Sequence, residues 1–227
     1  MNAVMFEELD SLFESSTIKP SFEKVHVILA LFIFDENPEG IGRYRLQKEL
    51  MIGEGTAKSL LKKLNEKKRF VAVVVKTRRK GHILTELGLQ YLGKIKKIIP
   101  IIQRGESSVL KDIIIEPEET SVYFCLVKNA SHKITDGINQ RDAAIKVNGS
   151  GATCLVYNGK NLVFPSKSYS GNTNNDSIID EALYKYFESR LSENKVKLEN
   201  NDVIAIGSGD SPQKARIATL NAALTLI

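Results

Sequence analysis

The sequence lacks the residues that mark several special classes of protein. It has no tryptophan, only two cysteines and six prolines among its 227 residues. Two cysteines cannot build the disulfide framework of a small secreted domain, and 15 glycines with no triplet period exclude a collagen-like chain. With 42% hydrophobic residues, the chain is too apolar for an intrinsically disordered protein. An ordinary globular protein of a reducing compartment remains.

The hydrophobic runs are too short to cross a membrane. The best apolar stretch, 25–34, has ten residues, whereas a transmembrane helix needs about 18 or more. We interpret it as a buried helix. The first ten residues carry three acids and no base, which is the wrong polarity for a secretory signal. We therefore expect a cytoplasmic protein.

Positive charge is concentrated in the first half of the chain. The net charge is +5 overall, but residues 1–104 carry 19 Lys and Arg against 12 Asp and Glu, whereas residues 105–227 carry 13 against 15. Within the first half, residues 43–80 hold 13 bases and three acids. Such a cluster attracts polyanions, and nucleic acid is the first candidate.

Hydrophobic periodicity predicts helices followed by a hairpin in the first half. Helices are expected over 6–13, from an N-cap at Ser21 to about residue 36, over 44–51 and over 57–64. A valine-rich strand, a basic turn at 77–81 and a returning strand follow. Thr85 is expected to cap a further helix, whose apolar stripe continues from Tyr91 to Ile102.

A domain boundary is predicted near residue 104, because the periodicity ends there. The resulting domains are 1–104 and 105–227. Strands then alternate with helices, with strands at 122–127, 152–157, 162–164 and 203–206 and helices at 137–147, 176–191 and 212–226. The predicted fold class is α+β, in which a helical N-terminal domain precedes a separate α/β sandwich.

The order of elements in the first domain resembles a known family. The residues that carry the resemblance are 41–50, 52–57, 60–64 and 84–88, together with the hairpin between them. They resemble the winged helix-turn-helix domain of prokaryotic transcription regulators over residues 21–97. The whole chain resembles an archaeal family in which this domain precedes a C-terminal domain of unassigned function. The resemblance implies a regulator that binds double-stranded DNA.

The candidate DNA-binding residues lie on both helices of the motif and on the wing. The second helix would place polar side chains in the major groove, the wing tip would contact phosphates or a minor groove, and the first helix would contact the backbone. These residues are Arg43, Arg45, Lys48, Thr56, Ser59, Lys62, Lys63, Arg78, Arg79 and Lys80. Two alternatives stay open, since a lysine-rich helix face is often only solvated and a basic hairpin tip often only protects a strand edge.

A homodimer is expected, because a single winged helix contacts few base pairs. The apolar stripe from Tyr91 to Ile102 could form the dimer contact. Alternatively, it packs within its own chain.

Candidate ligand-binding residues lie in the second domain. Gly207, Ser208 and Gly209 precede Ser211, which is predicted as an N-cap with Pro212 at the first helical position. A glycine-rich turn at a helix N-terminus can bind a small anionic effector, although it is often only a tight connection. Arg141 is expected to point toward the sheet and to grip an anion or to form an ion pair.

Signals for catalysis are weak. The sequence has no metal-binding or nucleophile motif, Cys125 and Cys154 lie in apolar strand patterns, and the three histidines are scattered. No cofactor, metal or enzymatic activity is expected. The alternatives are a nucleotide-dependent enzyme fused to a winged helix and a winged helix that binds another protein.

Overall fold

Helices build the first part of the chain and a sheet builds the second. The structure is a computed structural model that describes residues 7–14, 20–74, 81–114, 120–165 and 178–227. The chain divides into two compact units, 1–95 and 96–227. The predicted α+β class with a separate sheet domain is confirmed. Within the described residues, no helix combines the length and hydrophobicity that a bilayer crossing requires.

The first unit is built around one very apolar helix, α1 (Lys24–Asp35). Nine of its twelve residues are buried, because it carries apolar side chains on every face. The helix begins after an N-cap at Glu23, so the predicted N-cap at Ser21 is wrong. The cap is a capping box, in which the backbone N–H of Glu23 donates to Nδ1 of His26 at 2.9 Å.

The predicted helix-turn-helix is confirmed. Helix α2 (Arg43–Glu49) and helix α3 (Glu54–Glu66) flank a turn in which Met51 has a φ of 54° and Gly53 caps α3. A hairpin of β1 (Val71–Val73) and β2 (His82–Leu84) follows. Residues 75–80, which include most of the predicted basic turn, lie outside the described residues.

The hairpin is joined by a third extended segment. Ile41 forms an antiparallel bridge with His82 through two backbone hydrogen bonds of 3.0 Å. Gly81 makes the close approach possible, because its φ is +82° and a Cβ atom there would lie 2.1 Å from the carbonyl oxygen of Ile41. Glycine is therefore required at this turn.

Helix α4 (Glu86–Lys96) is shorter than its apolar stripe predicted. Its predicted cap is confirmed, since the hydroxyl of Thr85 accepts a hydrogen bond from the N–H of Gly88. The stripe leaves the helix after Ile95, and Ile102 belongs to strand β3 (Ile102–Arg104). The apolar residues of the stripe that was expected to form a dimer contact are buried, namely Tyr91, Leu92, Ile95, Ile99 and Ile102.

The second unit contains a five-stranded antiparallel sheet. Besides β3, its strands are β4 (Ser121–Val127), β5 (Gly151–Tyr157), β6 (Leu162–Val163) and β7 (Val203–Gly209). Their order across the sheet is β3-β4-β7-β5-β6. The unit begins at residue 96, nine residues before its predicted start at 105. The difference arises because β3, at 102–104, pairs with β4 and so belongs to the sheet.

Helices cover both faces of this sheet. After the short helix α5 (Ser107–Leu110), the chain adds α6 (Ile138–Lys146), α7 (Glu181–Glu193) and α8 (Pro212–Leu224). Phe187 of α7 packs against Phe124 of β4 in the main core. Helix α8 packs on β7, and α6 packs on α8 through contacts of Ala144 with Ala218 and Ala222. The α/β sandwich is thus observed.

A buried carboxylate connects the ends of β4 and β7. Asp202 is 1% exposed and accepts hydrogen bonds from Nζ of Lys128 and from the backbone N–H groups of Asn129 and Glu199, at 2.8 to 2.9 Å. Because the carboxylate is buried, each lost partner leaves a polar group unsatisfied.

We predict that Asp202→Ala lowers the free energy of unfolding by about 3 kcal/mol, because the N–H groups of Asn129 and Glu199 lose their acceptor and Lys128 loses one of its three acceptors. Urea unfolding of both proteins measures the difference. Asp210→Ala is the matched control, since it removes an exposed ion pair with Lys214 and should cost less than about 1 kcal/mol. Equal losses in the two variants would contradict the role of Asp202.

The capping box of α1 gives the first unit a pH dependence. Burial lowers the pKa of His26, against the opposing effect of the Glu23 carboxylate. The folded state therefore keeps the ring neutral, whereas the unfolded state binds a proton below about pH 6.5. The stabilisation is fully present above that pH and decreases as the pH falls through it.

His26→Gln should keep the cap and reduce this pH dependence, because glutamine also suits this position of a capping box but does not titrate. We expect the loss of unfolding free energy between about pH 7.5 and about pH 5.5 to be smaller in the variant than in the wild type. His132→Gln, at an exposed position, is the control and should behave as the wild type. An unchanged slope in His26→Gln would exclude this cause.

Candidate nucleic-acid interface

Helix α3 has a buried face, a side whose polar residues contact other parts of the first unit, and an open face that is exposed to solvent. Its four buried residues are Ala57, Leu60, Leu61 and Leu64. Thr56, Ser59, Lys62 and Lys63 were predicted to project away from the core together. The structure separates them instead into two groups with different environments.

Lys63 and Thr56 lie on the side of α3 that contacts other parts of the first unit. Nζ of Lys63 donates to the carbonyl oxygens of Leu12 and Glu14, the second at 3.2 Å, and lies 5.9 Å from the ring centre of Phe22. The hydroxyl of Thr56 is 2.6 Å from that of Ser21. Both side chains are therefore engaged within the chain, and their predicted free projection is wrong.

The segment that engages Lys63 is the N-terminal one. It was predicted as a helix over 6–13; in the described part Glu7 is helical and a short 3-10 turn follows at Asp10–Leu12, with Leu9 and Leu12 fully buried. Nζ of Lys67, one helical turn after Lys63, donates to the carbonyl oxygen of Ser11 at 3.1 Å. Lys63 of α3 and Lys67, the residue that caps its C-terminus, thus bind carbonyl groups of the N-terminal segment.

This environment changes the electrostatics of Lys63. Burial lowers the pKa of its ammonium group, and the neighbouring charge of Lys67 acts in the same direction. A lysine in contact with carbonyl oxygens and an aromatic ring stabilises the fold and is poorly placed to bind a phosphate.

The open face of α3 carries Lys58 and Lys62. Both are exposed, and the Lys62 ammonium lies 3.9 Å from the Glu66 carboxylate, the outer limit for an ion pair. Ser59 lies beside them and is half-buried. The sequence reasoning omitted Lys58, although its position four residues before Lys62 places both on one side of a helix.

On α2 the basic residues also divide. Arg43 forms an ion pair with Glu54 at 2.8 Å and lies over the ring of Tyr44, so it connects the starts of the two helices. Arg45 and Lys48 are exposed, and no described residue forms an ion pair with either. Arg78, Arg79 and Lys80, the predicted wing-tip residues, lie outside the described part of the chain.

The candidate ligand-binding residues of the second unit do not form one site. Gly207, Ser208 and Gly209 belong to strand β7 and are buried, so the predicted turn is wrong. Glycine is needed there because a Cβ on Gly207 would lie 2.5 Å from the backbone nitrogen of Thr219 in α8. The two glycines thus indicated close packing of a helix on a strand.

Ser211 and Arg141 have local roles. The predicted N-cap is confirmed, since Oγ of Ser211 accepts from the N–H of Lys214 at 3.4 Å with Pro212 at the first helical position. Arg141 is exposed, and its guanidinium donates to the carboxylate of Asp142 at 3.1 and 3.2 Å, so it forms the ion pair that was one of its two expected roles. It lines a cavity of about 290 Å³ that none of residues 207–211 reaches.

Both cysteines are core residues, as the strand pattern predicted. Burial raises the pKa of the Cys125 thiol above its ordinary range and that of Cys154 to about 12. Such thiols remain protonated and unreactive at neutral pH. Across the described residues, no group of three histidine, cysteine or carboxylate side chains could hold a metal ion.

The two units match two separate family models. Residues 24–90 match the model described as PH0730-like, N-terminal domain, and residues 119–226 match a domain of unknown function, DUF4443. The chain shares its two-domain fold with an archaeal protein. The solved structure of hypothetical protein PH0730 from Pyrococcus horikoshii OT3 superposes with a TM-score of 0.65 at 23% identity, over 90% of this chain and 93% of that one.

Among curated proteins, none matches the chain. The similarity to the Pyrococcus protein establishes the fold. It indicates no activity, because that protein is itself described as hypothetical. The side chains of α2 and α3 are therefore the features that can indicate a function.

We predict that two adjacent lysines of α3 differ in their contribution to stability. Lys63→Met should lower the free energy of unfolding by about 1 kcal/mol and accelerate amide hydrogen exchange over 9–14, because the carbonyl groups lose a charged donor. Lys62→Met, the matched control, should change neither measurement appreciably. If both variants exchange at the wild-type rate over 9–14, Lys63 does not hold the N-terminal segment.

Proposed function

We propose that this protein is a transcription regulator that binds double-stranded DNA through α2 and α3. The observation that carries the proposal is a group of exposed cations on the open faces of these helices. Arg45, Lys48 and Lys58 form no ion pair with a described residue, and Lys62 has only a long one. Unpaired surface cations on a helix-turn-helix suit the phosphates that border a DNA groove.

The dimensions of α3 support this mode of binding. It has 13 residues and is therefore about 20 Å long, and the major groove is about 12 Å wide and admits one helix. Ser59 and Lys62 would face base edges, while Lys58 and the cations of α2 would contact phosphates. The buried face of α3 stays on the core, so binding would need no rearrangement of the helix.

The second unit is proposed to pair two copies rather than to sense an effector. A single helix-turn-helix reads only one half-site, so useful specificity requires two. The expected anion-binding residues do not converge, which removes the main support for a sensing role. We accordingly propose a binding protein without catalytic activity.

A second candidate function is recognition of another protein by the same motif. Tyr44 of α2 and Met51 of the turn that follows it are 64% and 50% exposed. Exposed aromatic and methionine side chains are typical of protein interfaces. In that case the lysines of α3 would not contribute to DNA affinity.

The deciding experiment removes the two lysines of the open face. Lys58→Gln with Lys62→Gln should weaken binding to a labelled duplex by about tenfold or more near 0.1 M salt, because two phosphate contacts are lost. The slope of log affinity against log salt should become shallower by about 2. Fluorescence anisotropy over a salt series measures both quantities.

The matched control removes two exposed lysines of the second unit, Lys160→Gln with Lys185→Gln, so that the net charge changes equally. It should leave the salt slope within about 0.5 of the wild type. Equal effects in both double variants would show nonspecific attraction, and absence of duplex binding by the wild type would exclude the proposal.

A further inference from the structure

We propose that a cavity in the second unit binds a planar aromatic carboxylic acid. The cavity has a volume of about 510 Å³ and is lined by α7, by the segment 196–198 that follows it and by Tyr157 of β5. It shares no lining residue with Arg141 or with 207–211. The inference goes beyond the proposed function, and its failure would leave the proposals for DNA binding and for pairing of copies unaffected.

The end of α7 builds one wall of this cavity. The N–H of Val196 donates to the carbonyl oxygen of Leu191 at 3.0 Å. The N–H of Lys195 donates to that of Ser192 at 2.8 Å, which completes the Schellman motif that ends many helices. Lys195 has the left-handed φ, 58°, that this motif requires. The chain therefore turns back, and Val196 and Leu198 pack against the core that contains α7.

The same wall is held from the other side by the hydrogen bonds of Lys128. Its Nζ donates to the carbonyl oxygen of Lys197 at 3.1 Å and to the buried carboxylate of Asp202 at 2.8 Å. The segment 196–198 thus lies between a helix cap and a buried carboxylate. A cavity of several hundred Å³ whose walls are fixed in advance is typical of small-molecule sites, because binding then orders few protein groups.

Two tyrosine rings give the cavity an aromatic lining. The ring centres of Tyr157 and Tyr184 are 6.3 Å apart, and the ring planes are inclined by 30°. Burial raises the pKa of Tyr184 to about 12, and the neighbouring Tyr157 and Glu188 act in the same direction, so the ring stays uncharged at neutral pH. A planar aromatic ligand in contact with neutral rings is stabilised beyond the burial of its area.

The polar part of the lining favours a single negative charge. Lys197 is exposed, and no described residue forms an ion pair with it, whereas Lys185 is 2.7 Å from Glu181. Ser189 and Ser192 add hydroxyl donors to the lining. One unpaired ammonium group and two hydroxyl groups suit a carboxylate.

A phosphate fits this lining less well. It carries about two negative charges at neutral pH, and the lining offers one unpaired cation. Glu188 also lines the cavity and would repel the second charge. We therefore expect the carboxylate beside Lys197 and the ring against Tyr184, with a dissociation constant on the order of 0.1 to 1 mM for a bicyclic acid.

The test titrates ¹⁵N-labelled full-length protein with 2-naphthoate and follows the amide chemical shifts. The largest changes should occur at Tyr157 and over 184–198. Two further probes separate the contributions of ring and charge. 2-Naphthalenemethanol keeps the ring without the charge, and cyclohexanecarboxylate keeps the charge without an aromatic ring, so each should bind at least about threefold more weakly than 2-naphthoate.

Two pairs of variants test the assigned residues. Lys197→Gln should weaken naphthoate binding about fivefold. Lys195→Gln is the matched control and should change it less than about twofold, because Lys195 is exposed but does not line the cavity. Tyr184→Leu should weaken binding about fivefold, whereas Tyr184→Phe keeps the ring and should bind as the wild type does.

The proposal is overturned if 2-naphthoate at about 10 mM shifts no amide signal over 184–198, or if the three probes bind equally. It is equally overturned if Lys195→Gln and Lys197→Gln weaken binding to the same extent, since general surface charge would then attract the acid. Thermal unfolding checks that each variant is folded. If Tyr184→Leu does not fold, the probe series and the lysine pair still decide.

Discussion

The second unit depends on the close packing of α8 against β7. Strand β7 is central, pairing with β4 on one side and β5 on the other, and all seven of its residues are buried. Gly207 and Gly209 let the backbone of α8 approach, since a Cβ at either position would lie less than 3 Å from a backbone atom of that helix. Helix α6 packs on α8 in turn, so this contact also positions α6.

In the first unit, the equivalent constraint is the attachment of the N-terminal segment to α3. Leu9 and Leu12 bury apolar side chains, while Lys63 and Lys67 satisfy the carbonyl groups of the same segment. On this side of α3 the lysines stabilise the fold, whereas the side with Lys58 and Lys62 stays exposed to solvent. Stability and proposed DNA contact thus use different lysines of one helix.

Local patterns predicted the elements better than their partners. The helices of the motif, the hairpin and the caps at Thr85 and Ser211 follow from periodicity and turn chemistry within a few residues. A turn was predicted at 207–209 and a strand is found, because glycine serves both turns and close packing and only the position of α8 distinguishes them. Likewise, β3 has only three residues, and it is a strand because it pairs with β4, which no local pattern predicts.

The charge count shows most clearly what sequence alone cannot supply. Residues 43–80 hold 13 bases, yet Arg43, Lys63 and Lys67 bind groups of their own chain. Their partners lie 11 to 56 residues away, beyond the reach of any local pattern. A sum of charges therefore overstates the surface available to a polyanion. The number of phosphates neutralised depends on how many cations the fold leaves without an internal acceptor, and only tertiary contacts determine that number.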